Sequence, residues 1–255
     1  MDLNQWLEIY RGIASRLSLD PARDEESARI LNGILKQKET ISEGSLRSRV
    51  NGRDVAVFGA GPSLEDGIDA MLSSGLYSNF LHAAADGAVT AFIERGKYPE
   101  LVFSDLDGPA PDLIKASSSG SWIVAHAHGD NIPLVKGLIP LLKGRLLGST
   151  QVSPIPPLVL NLGGFTDGDR AAYWADSLGA SRIMLVGMDF GEKVGRYSKR
   201  GLTGERLKRK IEKLKIGSEL VSLLASRREI LNLSGAPISN VKTIDLTDLE
   251  KIIKR

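Results

Sequence analysis

Apolar positions recur on one side of a helix through residues 3–17, where Leu3, Trp6, Ile9, Tyr10, Ile13 and Leu17 form a single stripe. A second helical pattern covers residues 25–38, with Ile30, Leu31, Ile34 and Leu35 as its buried side. Together they predict an N-terminal helical segment, residues 1–50, packed as scaffold on the rest of the chain. From residue 54 the texture changes to short apolar runs of strand type at 55–58, 80–83, 101–103, 122–125, 145–147, 158–160 and 182–186. Segments of helical length separate several of them, at 63–73, 88–95 and 132–142. Runs that are apolar on both faces, alternating with helices, predict a doubly wound, mostly parallel, Rossmann-like α/β sheet over residues 51–190. Residues 191–255 are expected to form a glycine-containing loop, a strongly basic helix, a helical continuation over 218–231 and a last strand at 241–246.

Composition narrows the options. The 255 residues are 42% hydrophobic and 25% charged, enough for a sizeable core. A formal net charge of +2 gives no reason to expect a nucleic-acid partner or a membrane surface. The absence of cysteine excludes disulfides, thiolate nucleophiles and Cys-ligated metals. No basic leader precedes an apolar stretch, and no apolar run reaches the roughly 20 residues of a membrane span. The expected address is the cytoplasm.

Open parallel sheets bind ligands at the carboxyl ends of their strands, so the residues that follow each run carry the chemical signal. After the first come Gly59, Gly61, Pro62 and Ser63, a tight turn whose serine suits a helix N-cap and whose free N–H groups suit a phosphate. The turn is neither a P-loop nor a complete GxGxxG, because Leu64 stands at the third glycine. After the second come Asp86 and Gly87, either an N-cap or a contact to ribose or metal. After the third come Asp105 and Asp107, which in extended backbone would point to one side and grip one cation. Such oxygen ligands suit Mg²⁺, which combines one or two carboxylates with substrate phosphates.

The fourth run leads into His126, His128, Asp130 and Asn131. The His-x-His spacing admits zinc, but the chain holds three histidines in all. The favoured reading puts Asp130 in the metal site and gives the histidines to phosphate or base. Further on, Thr166, Asp167, Asp169 and Arg170 open a helix, and Arg170 meets either phosphate or a neighbouring aspartate at the surface. Asp189 closes another strand as a weaker candidate. The basic stretch 193–215, with Arg196, Lys199, Arg200, Arg206, Lys208, Arg209 and Lys210, is either a solvated helix face or a lid whose cations close over a triphosphate. No Ser/His/Asp or Cys nucleophile stands out. Transfer of phosphoryl groups, which depends on positioning and charge neutralisation, fits that absence.

In order over residues 58–191 the chain carries FGAGPSLE, AADGA, SDLDG, HAHGDN, GGFTDGDRA and GMDFG. This series resembles the archaeal-type 6-hydroxymethyl-7,8-dihydropterin pyrophosphokinases, a group with a thiamin pyrophosphokinase-like fold. The resemblance implies transfer of the terminal diphosphate of ATP to the hydroxymethyl group of a dihydropterin, with AMP released, in the synthesis of tetrahydromethanopterin or folate-type cofactors. It implies Asp105, Asp107 and Asp130 as ligands of Mg²⁺, with His128 beside them as a catalytic candidate. Asp86 would lie near nucleotide or metal, and the 59–63 and 167–170 turns would hold nucleotide or pterin. Two departures argue against thiamin as substrate: Asp130 is followed by Asn131 and preceded by histidines, and the C-terminal part lacks many short strands. The competing readings are a Mg²⁺-dependent sugar-nucleotide glycosyltransferase, a methyltransferase suggested by FGAGPS alone, and a nucleotide- or RNA-binding module using the basic helix. A homodimer is left open.

Overall fold

In the computed structural model, which describes residues 1–191, 193–198 and 201–253, the apolar runs form one nine-stranded sheet. Its strands are β1 (Asp54–Phe58), β2 (Leu81–Ala85), β3 (Leu101–Ser104), β4 (Trp122–Ala127), β5 (Leu146–Thr150), β6 (Val159–Leu160), β7 (Arg182–Val186), β8 (Ile230–Asn232) and β9 (Lys242–Thr243). The order is β6-β5-β4-β3-β2-β1-β7-β8-β9, with every neighbouring pair parallel. The helices are α1 (Leu3–Leu17), α2 (Pro21–Leu35), α3 (Glu43–Val50), α4 (Leu64–Ser73), α5 (Ala88–Glu94), α6 (Ala110–Ser118), α7 (Ile132–Leu138), α8 (Asp167–Ser177), α9 (Gly204–Ala225) and α10 (Leu246–Ile253). The doubly wound parallel sheet expected from the sequence is therefore present.

Alternate side chains of β1 to β8 feed two cores. Val55 and Val57 point into one with Trp6, Tyr10, Tyr173, Trp174 and Leu220; Ala56 and Phe58 point into the other with Leu31, Leu35, Ile68 and Phe92. Burying side chains of this size contributes roughly 1.5–3 kcal/mol each. The N-terminal helices share both cores: α1 packs on one face and α2 on the other.

Local differences from the expected elements have local causes. The strand expected at 80–83 runs over Leu81–Ala85, and that at 145–147 over Leu146–Thr150. α3 was not expected, because only Leu46 and Val50 of its eight residues are buried, too few to make a stripe. The helix expected over 132–142 tightens into a 3-10 turn at Ile139–Leu141, where Pro140 lacks an N–H for the α-ladder. The helix expected over 218–231 stops at Ala225, and Ile230 and Leu231 pair with β7 instead. The last strand shrinks to Lys242–Thr243, because the Asp245 carboxylate accepts the Asp248 N–H and turns the chain into α10. No helix among the described residues is long and apolar enough to cross a membrane.

The chain leaves β1 toward β2 on one side and returns through β7 on the other. That reversal opens a crevice at the carboxyl ends of the strands.

Candidate active site

A cavity of about 820 Å³ occupies this crevice and reaches from the turns after β1 and β7 to the α1–α2 corner. At the switch point the Gly59 N–H donates to the Val186 carbonyl at 2.9 Å and the Gly61 N–H to the Gly187 carbonyl at 2.8 Å. A Cβ on Gly61 would collide with the Gly187 carbonyl and the Asp189 carboxylate, so only glycine permits this approach. Pro62 also lines the cavity. Ser63 departs from the N-cap expectation. Its hydroxyl and N–H both donate to Asp189, at 2.7 and 2.9 Å, and α4 begins without a side-chain cap. Asp189 thus braces the β1 turn.

The acids after β2 and β3 converge. Asp86 has a left-handed backbone, φ 38°, and its N–H donates to the Phe103 carbonyl at 2.7 Å. Its carboxylate accepts the Ser104 hydroxyl at 2.6 Å. A Cβ on Gly108 would lie 2.5 Å from the Asp86 carboxylate, which is why glycine stands there. Asp105 and Asp107 do not sit in extended backbone as expected. They come after the strand end, and Leu106 between them is left-handed at φ 71°. One oxygen from each of Asp86, Asp105 and Asp107 lies within 4.8 Å of the others, the spacing of a shared cation. Asp130 is not in that cluster: it is exposed on the cavity wall, one turn past β4.

Crowding shows in the electrostatics. Burial, reinforced by the charge of Asp105, pushes the Asp86 carboxyl up to about 7. Burial also pushes Asp167 well above the carboxylate range, with Asp105 the next cause. Asp105 itself is held low, because His128 and the charge of Lys213 outweigh its burial.

The fourth-strand motif divides by depth. The His128 Nε2 lies 3.7 Å from Asp105 Oδ2, while its Nδ1 accepts the Asp130 N–H at 3.3 Å. His126 is buried. An Arg170 N–H donates to its Nε2 at 2.9 Å, and since arginine can only donate, its Nδ1 must carry the proton shared with Ser149 Oγ at 2.9 Å. Burial, then the Arg170 charge, holds its pKa well below the ordinary value, so a neutral His126 braces Arg170 and has no ring nitrogen left for a metal or phosphate. Asn131 is also a brace: its amide donates to the carbonyls of Asp105 and His126, both at 2.7 Å.

At the start of α8, Arg170, read from the sequence either as a phosphate contact or as a surface partner of a neighbouring aspartate, is buried, 1% exposed. Arg170 donates to Asp167 at 2.9 Å and to the Phe165 carbonyl at 2.8 Å. Asp169 closes the helix N-terminus by accepting the N–H groups of Phe165 and Thr166 and the Thr166 hydroxyl. Of this motif, Asp167 faces the acidic cluster, and Thr166 and Arg170 reach the cavity wall.

Two further walls complete the cavity. Residues 193–198 lie across the glycine turns: a Cβ on Gly87 would collide with the Tyr197 carbonyl, and one on Gly195 with the Ala60 carbonyl. Arg196 and Tyr197 tie this segment to Glu65 and Glu94. Of the basic stretch, Lys199 and Arg200 lie outside the described residues. Arg206, Arg209, Lys210 and Lys213 of α9 line the cavity, whereas Lys208 pairs outward with Glu205 at 2.8 Å. Burial lowers the Lys213 pKa, against the opposing pull of Asp105.

Sequence reasoning missed Lys213 and the α1–α2 corner. There Asp24, 3% exposed, accepts the Gly129 N–H at 2.6 Å, the Gln151 amide at 2.8 Å and the Tyr10 hydroxyl. Both residues gave a signal: each charge extends the buried stripe of its helix, Asp24 with Ala28, Leu31 and Leu35, Lys213 with Ile216 and Leu220.

Comparison with known proteins adds identity to this geometry. Residues 32–195 match the family described as 6-hydroxymethylpterin diphosphokinase MptE-like. The chain is 39% identical, over 90% of its length and 98% of the relative's, to a 6-hydroxymethyl-7,8-dihydropterin pyrophosphokinase of Methanocaldococcus jannaschii. It is 40% identical, over 80% of its length and 86% of the relative's, to one of Methanothermobacter thermautotrophicus. Among solved structures, the MAf glycosyltransferase of Magnetospirillum magneticum superposes on 80% of this chain and 36% of its own at a TM-score of 0.52 and 15% identity, a likeness of fold alone. The glycine turns, the three clustered aspartates and the buried Arg170 all fall inside the matched span, and on that match and these relatives the chain belongs to the MptE-like 6-hydroxymethylpterin diphosphokinase family.

Proposed function

We propose that this chain transfers the terminal diphosphate of ATP to 6-hydroxymethyl-7,8-dihydropterin, releasing AMP. The observation that carries the reading is similarity at 39% identity over nearly the whole of a relative bearing that name. The site adds chemical support: an acidic cluster faces a cationic helix across one cavity large enough for both substrates.

Asp86, Asp105 and Asp107 fit a Mg²⁺ ion, since they offer hard oxygens at mutual ligand spacing and their crowding calls for a cation. Mg²⁺ bound there would neutralise charge developing on the phosphates. Asp130, on the wall beside them, would reach the ion through water or hold the acceptor. The turns at Gly59–Gly61 and Gly187 would take the nucleotide close to the backbone, with Pro62, Gly87 and Thr166 forming its walls. Arg170 and Asp167 would fix the floor, with His126, Ser63, Asn131 and Asp169 acting behind as braces. His128 is suited to hold Asp105 in orientation toward the ion. In the reaction the hydroxymethyl oxygen bonds to the β-phosphorus as the bond to the α,β-bridging oxygen breaks. The electron pair leaves on AMP, and the hydroxyl proton is released.

Incubation of the protein with ATP, Mg²⁺ and the dihydropterin tests the reading. AMP and pterin diphosphate are expected in equal amounts. No AMP with the pterin, and hydrolysis of a nucleotide sugar instead, would replace this function by glycosyl transfer.

A further inference from the structure

The inner face of α9 bears Arg206, Arg209, Lys210 and Lys213, spaced so that successive turns point one way. All four line the cavity. The Arg209 guanidinium is partly committed, donating to the Leu17 carbonyl at 3.0 Å. Lys213 is different. It is half-buried, its ammonium 6.0 Å from the centre of the Phe165 ring, and the charges of Asp105, Asp107 and Asp130 act on it. Yet no hydrogen bond or ion pair within 4 Å joins it to a described residue. A partly desolvated ammonium facing carboxylates that it does not touch leaves room between them for something negative.

The helix is built to hold that position. One turn beyond Lys213 stands Gly217, where a Cβ would lie 2.8 Å from the Phe190 ring and 3.1 Å from Asp169 Oδ1. Without a side chain there, α9 lies flush on the start of α8, and Ile216, Leu220, Val221 and Leu224 are buried behind it. From the far side Arg16 of α1 pairs with Glu212 and, at 2.8 Å, with Glu219. Lys213 is therefore carried on a packed element, opposite the aspartates.

We propose that Lys213 binds the β- and γ-phosphoryl groups of the nucleotide from the side of the cavity opposite Asp86, Asp105 and Asp107. The assignment rests on the diphosphate-transfer reading and extends it to a residue outside the family match, which ends at residue 195. A compact ammonium with three rotatable donors suits a group that moves from one oxygen to another, since it can follow the diphosphate without losing contact.

Calorimetric titration with Mg²⁺, and without pterin, tests this. The probes are the α,β-methylene analogue of ATP and AMP, on wild type, Lys213→Ala, Lys213→Arg and Gly217→Val. Lys213→Ala should lose roughly tenfold to hundredfold in affinity for the analogue, the worth of a hydrogen bond to charged groups. Its affinity for AMP and its thermal midpoint should stay as in wild type, and Lys213→Arg should regain most of the loss. Gly217→Val, which lifts the helix, should copy Lys213→Ala. If wild type prefers the analogue to AMP and Lys213→Ala binds it within about twofold of wild type, the role of Lys213 is refuted while diphosphate transfer stands. If wild type shows no preference for the triphosphate analogue, both fall.

Discussion

The two ends of the sheet treat charge in opposite ways. At the amino ends of the strands, acids meet bases: Glu100 receives His82 Nδ1 at 2.9 Å and Arg53 at 3.3 Å, and Asp54 receives Arg182 at 3.3 Å. Burial would raise the Glu100 carboxyl, but hydrogen bonds from His82 hold it at about 2. At the carboxyl ends, Asp86, Asp105, Asp107 and Asp167 crowd together, and Asp86 stands at about 7. At one end each acid has its base; at the other Asp105 and Asp167 have His128 and Arg170 beside them, and the strain gathers on Asp86 and Asp167. Local rules are satisfied where the fold needs holding and are broken where a ligand is needed to complete the charge balance.

Substitutions at the crowded end should break function first. Asp105→Asn and Asp107→Asn should each lower turnover by about 10²–10³-fold, as loss of a group stabilising developing charge does, with the fold retained. Asp86→Asn should abolish turnover too, yet in chelator at about pH 8 its thermal midpoint should rise by roughly 2–6 °C, because a like charge has gone. A midpoint equal to or below wild type would mean that the cluster is not strained. At the paired end, Glu100→Gln should do the reverse, costing roughly 1–3 kcal/mol of stability at neutral pH while turnover per folded molecule is unchanged.

The smallest effects, and the sharpest, lie in pH. For Glu100 the folded value of about 2 lies below the unfolded one near 4.3, so its contribution is full above that value and is lost as pH falls through about 2. For Asp86 the folded value of about 7 lies above the unfolded one near 3.9, so its contribution is full below that value and is lost as pH rises through about 7. Added Mg²⁺ should therefore raise the thermal midpoint more at about pH 8 than at about pH 6, and Asp86→Asn should flatten that difference. An equal rise at both values in wild type would contradict the assignment.

Much of this was legible in the chain. The strands declared themselves because they are apolar on both faces, and the chemistry declared itself because strand ends are where such sheets bind. What could not be read is how deep each polar residue sits. Arg170 and Asp169 read in the sequence as candidates at a helix start with no indication of depth, yet both are buried, one at the cavity wall and one as a cap. Asp130 was expected among the clustered acids, but the turn after β4 carries it to the wall while the left-handed Asp86 turns inward. Lys213 was hidden among neighbours of the same charge, such as Lys208, which pairs outward with Glu205. Depth comes from how helices pack, and single charges on apolar stripes were the only trace of it.

The central claim is most directly tested by following each phosphorus of ATP. With label in the α- or β-phosphate and the dihydropterin as acceptor, β-label should pass to the pterin and α-label should remain in AMP. Appearance of α-label on the pterin with free pyrophosphate would mean nucleotidyl transfer, and label confined to ADP and phosphate would mean simple hydrolysis; either contradicts the account.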